Sequence, residues 1–246
     1  MSTYESGPFS RSPTSVGSSA DNSVHHSKEY ALDDREFELL LEATYKMDND
    51  YFGLESRFIV LAAGRLGLRS GEICHMHRDW LDDRRRMIVI PPYQQCTQGK
   101  DGGICGSCEQ AAKQKVKHND DVDLEEARAS MWSPKTSAAA REVPFDAEPR
   151  AELAVERYLE KHGRFQGSQT GINRRVTRAA EIAEELDADM VTPHGLRATA
   201  ASRFASRGLD VLALQSMFGW AQLSTAHNYI RRSGENTARA IRDIQF

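Results

Sequence analysis

Four short segments set a phosphate-seeking or nucleophilic side chain beside a turn or a helix start. They are Gly67-Leu68-Arg69-Ser70-Gly71-Glu72, Pro134-Lys135-Thr136, His194-Gly195-Leu196-Arg197, and Gly219-Trp220 followed nine residues on by Tyr229. When a hydroxyl attacks a phosphodiester, negative charge builds on the non-bridging oxygens, and fixed donors aimed there give the largest catalytic term. Arginine binds such oxygens with a planar two-pronged fork, so Arg69 and Arg197 fit a clamp. A tyrosine with an ordinary pKa of about 10 is a poor nucleophile at neutral pH and needs a proton acceptor or nearby cations. His194, three residues from Arg197 on a helical face, could be that acceptor. The departing oxygen needs a proton, which a lysine depressed by neighbouring arginines could give; Lys135 fits. Trp220 cannot shuttle protons, but its indole N–H can donate to a phosphate oxygen.

These residues need elements to hold them. Asp33 and Asp34 stand at a helix start, and Phe37, Leu40, Leu41 and Thr44 recur at helical spacing. Phe58 to Leu68 is almost continuously apolar and predicts a buried helix ending near Gly67, with a short helix over 70–76 after it. Arg86 to Pro92 is rich in β-formers and is stopped by two prolines, which predicts a strand. Trp132–Lys135 and Arg141–Phe145 read as two more strands joined by a turn over 136–140. From Glu148 onward the pattern is helical, with an apolar stripe of Val176, Ala179, Ala180, Ala183 and Leu186. Thr192-Pro193 is an N-cap and first-turn pair opening a helix through Arg207, and Asp210 caps the next, to Phe218. The expectation is a mainly helical α+β domain with a small antiparallel three-stranded sheet.

An insertion over residues 93–129 separates the first strand from the others and holds three of the four cysteines. Cys96, Cys105 and Cys108 form C-x8-C-x2-C, with His118 ten residues later. Thiolates on a C-x-x-C turn are common tetrahedral zinc ligands, and a long loop in a compact domain wants a staple. The spacing predicts a structural zinc site with His118 as fourth ligand; His75, His77 and Cys74 could take that place instead. The plainer reading is three reduced thiols in a mobile loop.

At 246 residues the chain can bury a sizeable core, and 39% apolar with 28% charged residues is a globular mixture. No stretch reaches the roughly 20 apolar residues of a membrane span, and the Ser-rich N-terminus has no apolar signal region. A reducing, cytoplasmic home follows. Residues 1–30 hold too few large apolar side chains to offset their ordering entropy, which predicts a disordered tail. The net charge of −4 hides an uneven distribution: residues 192–246 carry seven arginines, no lysine and three acidic residues. Such a basic, arginine-only quarter suits a phosphodiester partner.

In order and spacing, the four segments resemble the catalytic domain of the tyrosine recombinases, the phage-integrase family, over roughly residues 55–240. Arg69 matches the first catalytic arginine and Glu72 the acidic residue that buttresses it. Lys135 matches the hairpin lysine, since it precedes Arg141-Glu142-Val143-Pro144; His194 and Arg197 match the histidine and second arginine. Trp220 falls where most members have histidine and some have tryptophan, and Tyr229 falls on the nucleophile. The resemblance implies DNA strand cleavage and rejoining through a 3′-phosphotyrosine, with no catalytic cofactor, by an integrase of a mobile element or its host. It also implies double-stranded DNA as partner and a tetramer on paired sites, assembled through a tail helix over 235–246, with Ala238, Ile241 and Ile244 at helical spacing. Members usually carry an N-terminal DNA-binding domain of about 80–100 residues. Some 25 ordered residues stand there here, so a minimal module or an accessory DNA-binding protein is expected. A type IB topoisomerase, an inactive DNA-binding regulator and a zinc-stabilised interaction module are the competing readings. Taken singly, each residue has a plainer role: Arg69 and Arg197 as structural ion-pair partners, Lys135 as a solvated lysine rivalled by Lys161 and those at 100–117, Trp220 as core, and Tyr229 as a half-buried aromatic rivalled by Tyr158.

Overall fold

The computed structural model describes residues 30–231 together with 234, 238, 241 and 242. The chain begins with α1 (Asp34–Ala43), opened by a reciprocal cap in which Asp33 Oδ1 accepts from Glu36 N at 2.7 Å and Glu36 Oε2 from Asp33 N at 2.8 Å. Helix α2 (Asp50–Gly64) starts eight residues before the apolar run, because Asn49 Oδ1 accepts from Phe52 N and supplies an earlier cap. It is the central pillar: Phe58, Ile59, Val60, Ala62 and Ala63 are fully buried, and α6 (Pro149–His162), α7 (Gln169–Ile182) and α8 (Pro193–Ser206) all pack against it. Its length without an amphipathic stripe is what burial on several sides requires.

Following α2, Gly67 turns the chain at φ +68° into the short helix α3 (Ser70–Cys74). A Cβ on Gly67 would stand 2.4 Å from the Phe218 ring, so this turn needs glycine twice over. Strands β1 (Leu81–Asp82), β2 (Met87–Ile90) and β3 (Arg141–Pro144) form one antiparallel sheet in the order β1-β2-β3, with Ile90 opposite Arg141 and Ile88 opposite Val143. The strand number is as expected, but its membership differs. Trp132–Lys135 is not a strand, and Leu81–Asp82 takes the free edge of β2. Trp132 exchanges a single pair of backbone hydrogen bonds with Gln94, its ring is stacked on Trp80, and Pro134 has no N–H with which to extend a ladder.

The insertion folds as two packed helices, α4 (Gly106–His118) and α5 (Leu124–Ala129), rather than as an open loop. Arg128 joins them with a two-pronged bond to Glu109 at 2.6 and 2.8 Å, over buried Ala112 and Ala127. Helix α8 starts at its expected cap, Thr192 Oγ1 accepting from Gly195 N at 3.0 Å, and α9 (Val211–Phe218) starts at Asp210. Helix α10 (Leu223–Arg231) carries Tyr229. The expected disordered tail over 1–30 lies outside the described residues except for Tyr30, as does most of the tail helix over 235–246, Ile244 included. Among the described residues, no helix is long and apolar enough to cross a membrane.

Candidate active site and cysteine cluster

Glu72 is the hub of the site. Its carboxylate, 1% exposed, accepts from Arg69 Nη1 at 2.7 Å and from the Arg69 backbone N at 2.8 Å. It also accepts from both terminal nitrogens of Arg141, at 2.7 and 3.0 Å. Burial alone would raise the Glu72 carboxyl, but Arg141 foremost, then Arg197 and Arg69, hold it below the ordinary carboxylate value. Sequence reading did not single out Arg141. The signal was present in β3, where Arg141 and Val143 alternate with exposed Glu142, which puts the arginine on the inward face.

Two glycine carbonyls orient the predicted arginine pair. Arg69 Nη2 donates to Gly219 O at 2.8 Å, and Arg197 donates through Nη1 to Gly67 O and through Nη2 to Phe218 O. Gly219 ends α9 in the left-handed region at φ +55°, which turns its carbonyl toward Arg69. Arg197 is 5% exposed; burial, then the Arg69 charge, draws its guanidinium down to about 9, still protonated at neutral pH. Two guanidinium groups therefore bind one carboxylate while a third, Arg197, lies in its field, and the site carries surplus positive charge.

His194 lies exposed in the first turn of α8. Loss of hydration among its neighbours, then the Arg197, Arg69 and Lys135 charges, lowers its imidazole below the ordinary 6.5. That interaction places Lys135, exposed on the loop before β3, in the same electrostatic neighbourhood. Trp220 stacks between Phe218 (centroids 4.9 Å) and Tyr229 (5.2 Å, planes 6° apart), and the Arg197 guanidinium lies 6.0 Å from the Trp220 ring. Tyr229, 9% exposed, also interacts electrostatically with Arg197. The structure thus brings Arg69, Glu72, Lys135, His194, Arg197, Trp220 and Tyr229 together, although they span some 160 positions of chain. Tyr158 is fully buried away from them, stacked on Phe58 at 4.5 Å.

A second group lies behind α3. The ligand atoms of His75, Cys96, Cys105 and Cys108 all fall within 4.8 Å of one another. His75 Nε2 is 3.3 Å from Cys108 Sγ, 3.5 Å from Cys96 Sγ and 3.7 Å from Cys105 Sγ. The Cys105 and Cys108 backbone N–H groups point at the sulfurs of Cys96 and Cys105, each at 3.4 Å. The three cysteines are the ones expected, but the imidazole is His75 and not His118. Helix α4 rises about 1.5 Å per residue and carries His118 to an exposed end roughly 20 Å from Cys105. His75, as the C-cap of α3, is already inside. Cys74 and His77 do not join this group: Cys74 Sγ lies 3.7 Å from Gly167 O, and the His77 backbone forms a β-bridge with Arg164.

The family model for the phage integrase family matches residues 31–235. Tyrosine recombinase XerC of Corynebacterium efficiens is 33% identical over 116 residues, which cover 42% of this chain and 36% of that protein. Among solved structures, the Tn1549 transposon integrase in complex with transposon right end DNA superposes with TM-score 0.60 at 18% identity, covering 87% of this chain and 65% of that one. The XerA recombinase does so with TM-score 0.55 at 17% identity, covering 88% and 64%. The chain thus spans between about a third and two thirds of the length of these relatives. Their fold is the one described above, mainly helical with a small three-stranded sheet. With its family model matched over most of its length, the chain belongs to the phage integrase family, the tyrosine recombinases, and has the fold of their catalytic domain.

Proposed function

We propose that the chain is the catalytic module of a site-specific DNA recombinase that cleaves and rejoins strands of double-stranded DNA, integrating or excising a mobile element in the cytoplasm. Tyr229 Oη attacks a backbone phosphorus and its proton passes to His194, which its depressed basicity keeps neutral and able to accept. The bond from phosphorus to the 5′ oxygen breaks, and Lys135 protonates that oxygen as it leaves. Arg69 and Arg197 hold the non-bridging oxygens, and Trp220 supplies an indole N–H while packing against Tyr229. The product is a 3′-phosphotyrosine ester, which a 5′-hydroxyl from another strand attacks in the reverse sense. Since the ester keeps the phosphoryl bond, rejoining needs neither ATP nor a catalytic metal. The observation that carries this reading is the surplus of buried guanidinium charge around Glu72, beside a tyrosine stacked on Trp220. A phosphodiester is the anion that arrangement fits.

A nicked duplex that traps the intermediate provides the test. The wild-type protein should form a protein–DNA adduct that survives denaturant, Tyr229→Phe should form none, and Arg69→Ala should slow adduct formation by about 10²–10³-fold. An adduct that persists in Tyr229→Phe would move the nucleophile elsewhere. Recombination between two sites also calls for assembly as a tetramer on paired sites, which we assign to residues 235–246.

The His75, Cys96, Cys105 and Cys108 group stands apart from this chemistry and is read as a structural zinc site. Three thiolates and an imidazole at zinc bond lengths would lie about 3.6 Å apart along a sulfur–nitrogen edge of a tetrahedron. The nitrogen-to-sulfur separations of 3.3 to 3.7 Å bracket that value.

A further inference from the structure

Helix α3 carries both groups. Arg69 caps its N-terminus, Glu72 lies in its first turn, and His75 caps its C-terminus three residues later. The His75 ring is held from two directions. Nε2 faces the three sulfurs, and Nδ1 lies 2.8 Å from Gly71 O, a carbonyl between Arg69 and Glu72 in sequence. One face of the ring stacks on Trp132, with centroids 5.1 Å apart and planes 15° apart. Trp132 is tied by backbone bonds to Gln94, and Met131 O accepts from Cys96 N at 2.9 Å. Lys135 follows three residues after that anchor. A short helix of this kind has few bonds of its own, so its ends must be fixed from outside.

From this arrangement we infer that the Cys3His centre positions the catalytic arginine: His75, bound to the metal through Nε2, donates through Nδ1 to Gly71 O and thereby sets the turn that holds Glu72 against Arg69 and presents Arg69 to the phosphate. His75 is a positioning residue, acting through α3 and not on DNA. The second nitrogen of a metal-bound histidine commonly donates to a carbonyl, and disturbing such partners typically changes activity or affinity by 10–100-fold. Here that link runs outward, from the metal to the helix of the active site. The inference rests on the zinc reading above.

The decisive variant is His75→Cys, which keeps a fourth zinc ligand but removes the imidazole and its bond to Gly71. Three quantities are measured on the full chain: zinc content of the purified protein, affinity for a nicked duplex, and the single-turnover rate of covalent adduct formation. Wild type and His118→Ala should each hold one equivalent of zinc. His75→Cys should also hold one and bind DNA within about twofold of wild type, yet cleave about 10–100-fold more slowly. In an Arg69→Ala background, His75→Cys should add little further loss, because the arginine it positions is already gone. Less than about half an equivalent of zinc in wild-type protein would overturn the zinc reading and the inference with it. Zinc-replete His75→Cys that cleaves at the wild-type rate, or that slows the Arg69→Ala protein as much as wild type, would overturn the positioning role alone. Should His75→Cys fail to fold, chelator-stripped and zinc-reloaded wild-type protein gives the same comparison: stripping should slow cleavage reversibly without a matching loss of DNA affinity, and an unchanged rate would count against the inference.

Discussion

At the residue scale, the site is a problem in charge. Arg69 and Arg141 bind Glu72, Arg197 lies in the field of the same carboxylate, and lost hydration, then the nearby cations, make a positive charge on His194 costly. Its imidazole, held below 6.5, is neutral at physiological pH, and only the neutral form can take the proton of Tyr229. The second-order rate of DNA cleavage, which reports the free protein, should therefore be flat through neutral pH and fall only as pH drops below 6.5. His194→Asn should reduce the rate about 10²–10⁴-fold and remove that acidic limb. A limb beginning above 6.5, or unchanged in the variant, would assign the proton acceptor to another group. The residue types needed for phosphoryl chemistry were legible in the sequence because each has a distinctive side chain at a distinctive spacing. Arg141 was not, since a buried arginine has no spacing signal of its own and its role depends on a carboxylate 69 positions away. His118 was preferred to His75 because proximity in sequence stood in for proximity in space, and a helix of 13 residues breaks that equivalence.

Among the elements, the glycine turns at 67 and 219 decide where the arginine pair points. Gly219 is left-handed, and a Cβ there would stand 2.8 Å from Ala138 O and 2.9 Å from both Ala139 Cα and Arg141 Cδ. Gly163, left-handed at φ +71°, has nothing within 4 Å of its Cβ position. Alanine at 163 should therefore cost only the backbone term, about 1–3 kcal/mol. Alanine at 219 should cost more and should also slow cleavage, because Gly219 O must shift from Arg69. Equal loss of stability in the two variants by denaturant titration, with cleavage untouched, would contradict this account. Helices α1, α8 and α9 were readable from their caps, Asp33, Thr192 and Asp210, since a cap is a local event. The first edge of the sheet was not. Leu81–Asp82 is a two-residue strand defined only by its partner, whereas Trp132–Lys135 has the composition of a strand but commits its aromatic ring to a stack with Trp80 and His75.

For the whole molecule, one pillar, α2, carries α3 and α8, with α10 packed on α8 and α9, and the pattern of buried residues along the second half of α2 was visible from sequence because burial on several sides leaves an uninterrupted apolar run. What composition could not show is how the insertion joins that body: α4 and α5 pack chiefly on each other, Cys108, Ala112 and Ala127 enter the buried core, and Gln94, Thr97 and Gln98 bond to Trp132, Arg164 and Phe165. Assembly belongs to this scale too. Removing residues 235–246 should leave DNA binding by single protomers and adduct formation on a nicked duplex in place, while abolishing the multi-protomer complex on paired sites seen by native gel or analytical ultracentrifugation. An unchanged complex would relocate the interface.

The spacing of Glu72 and His75 has a consequence for how such a chain can change over generations. Within one helical turn Glu72 serves the arginines and His75 the cysteines. Adding or deleting a single residue between them would swing one about 100° around the axis, out of reach of its partners. The two centres cannot drift independently in register, and a lineage that discards the sulfur knot must first find another way to brace this turn.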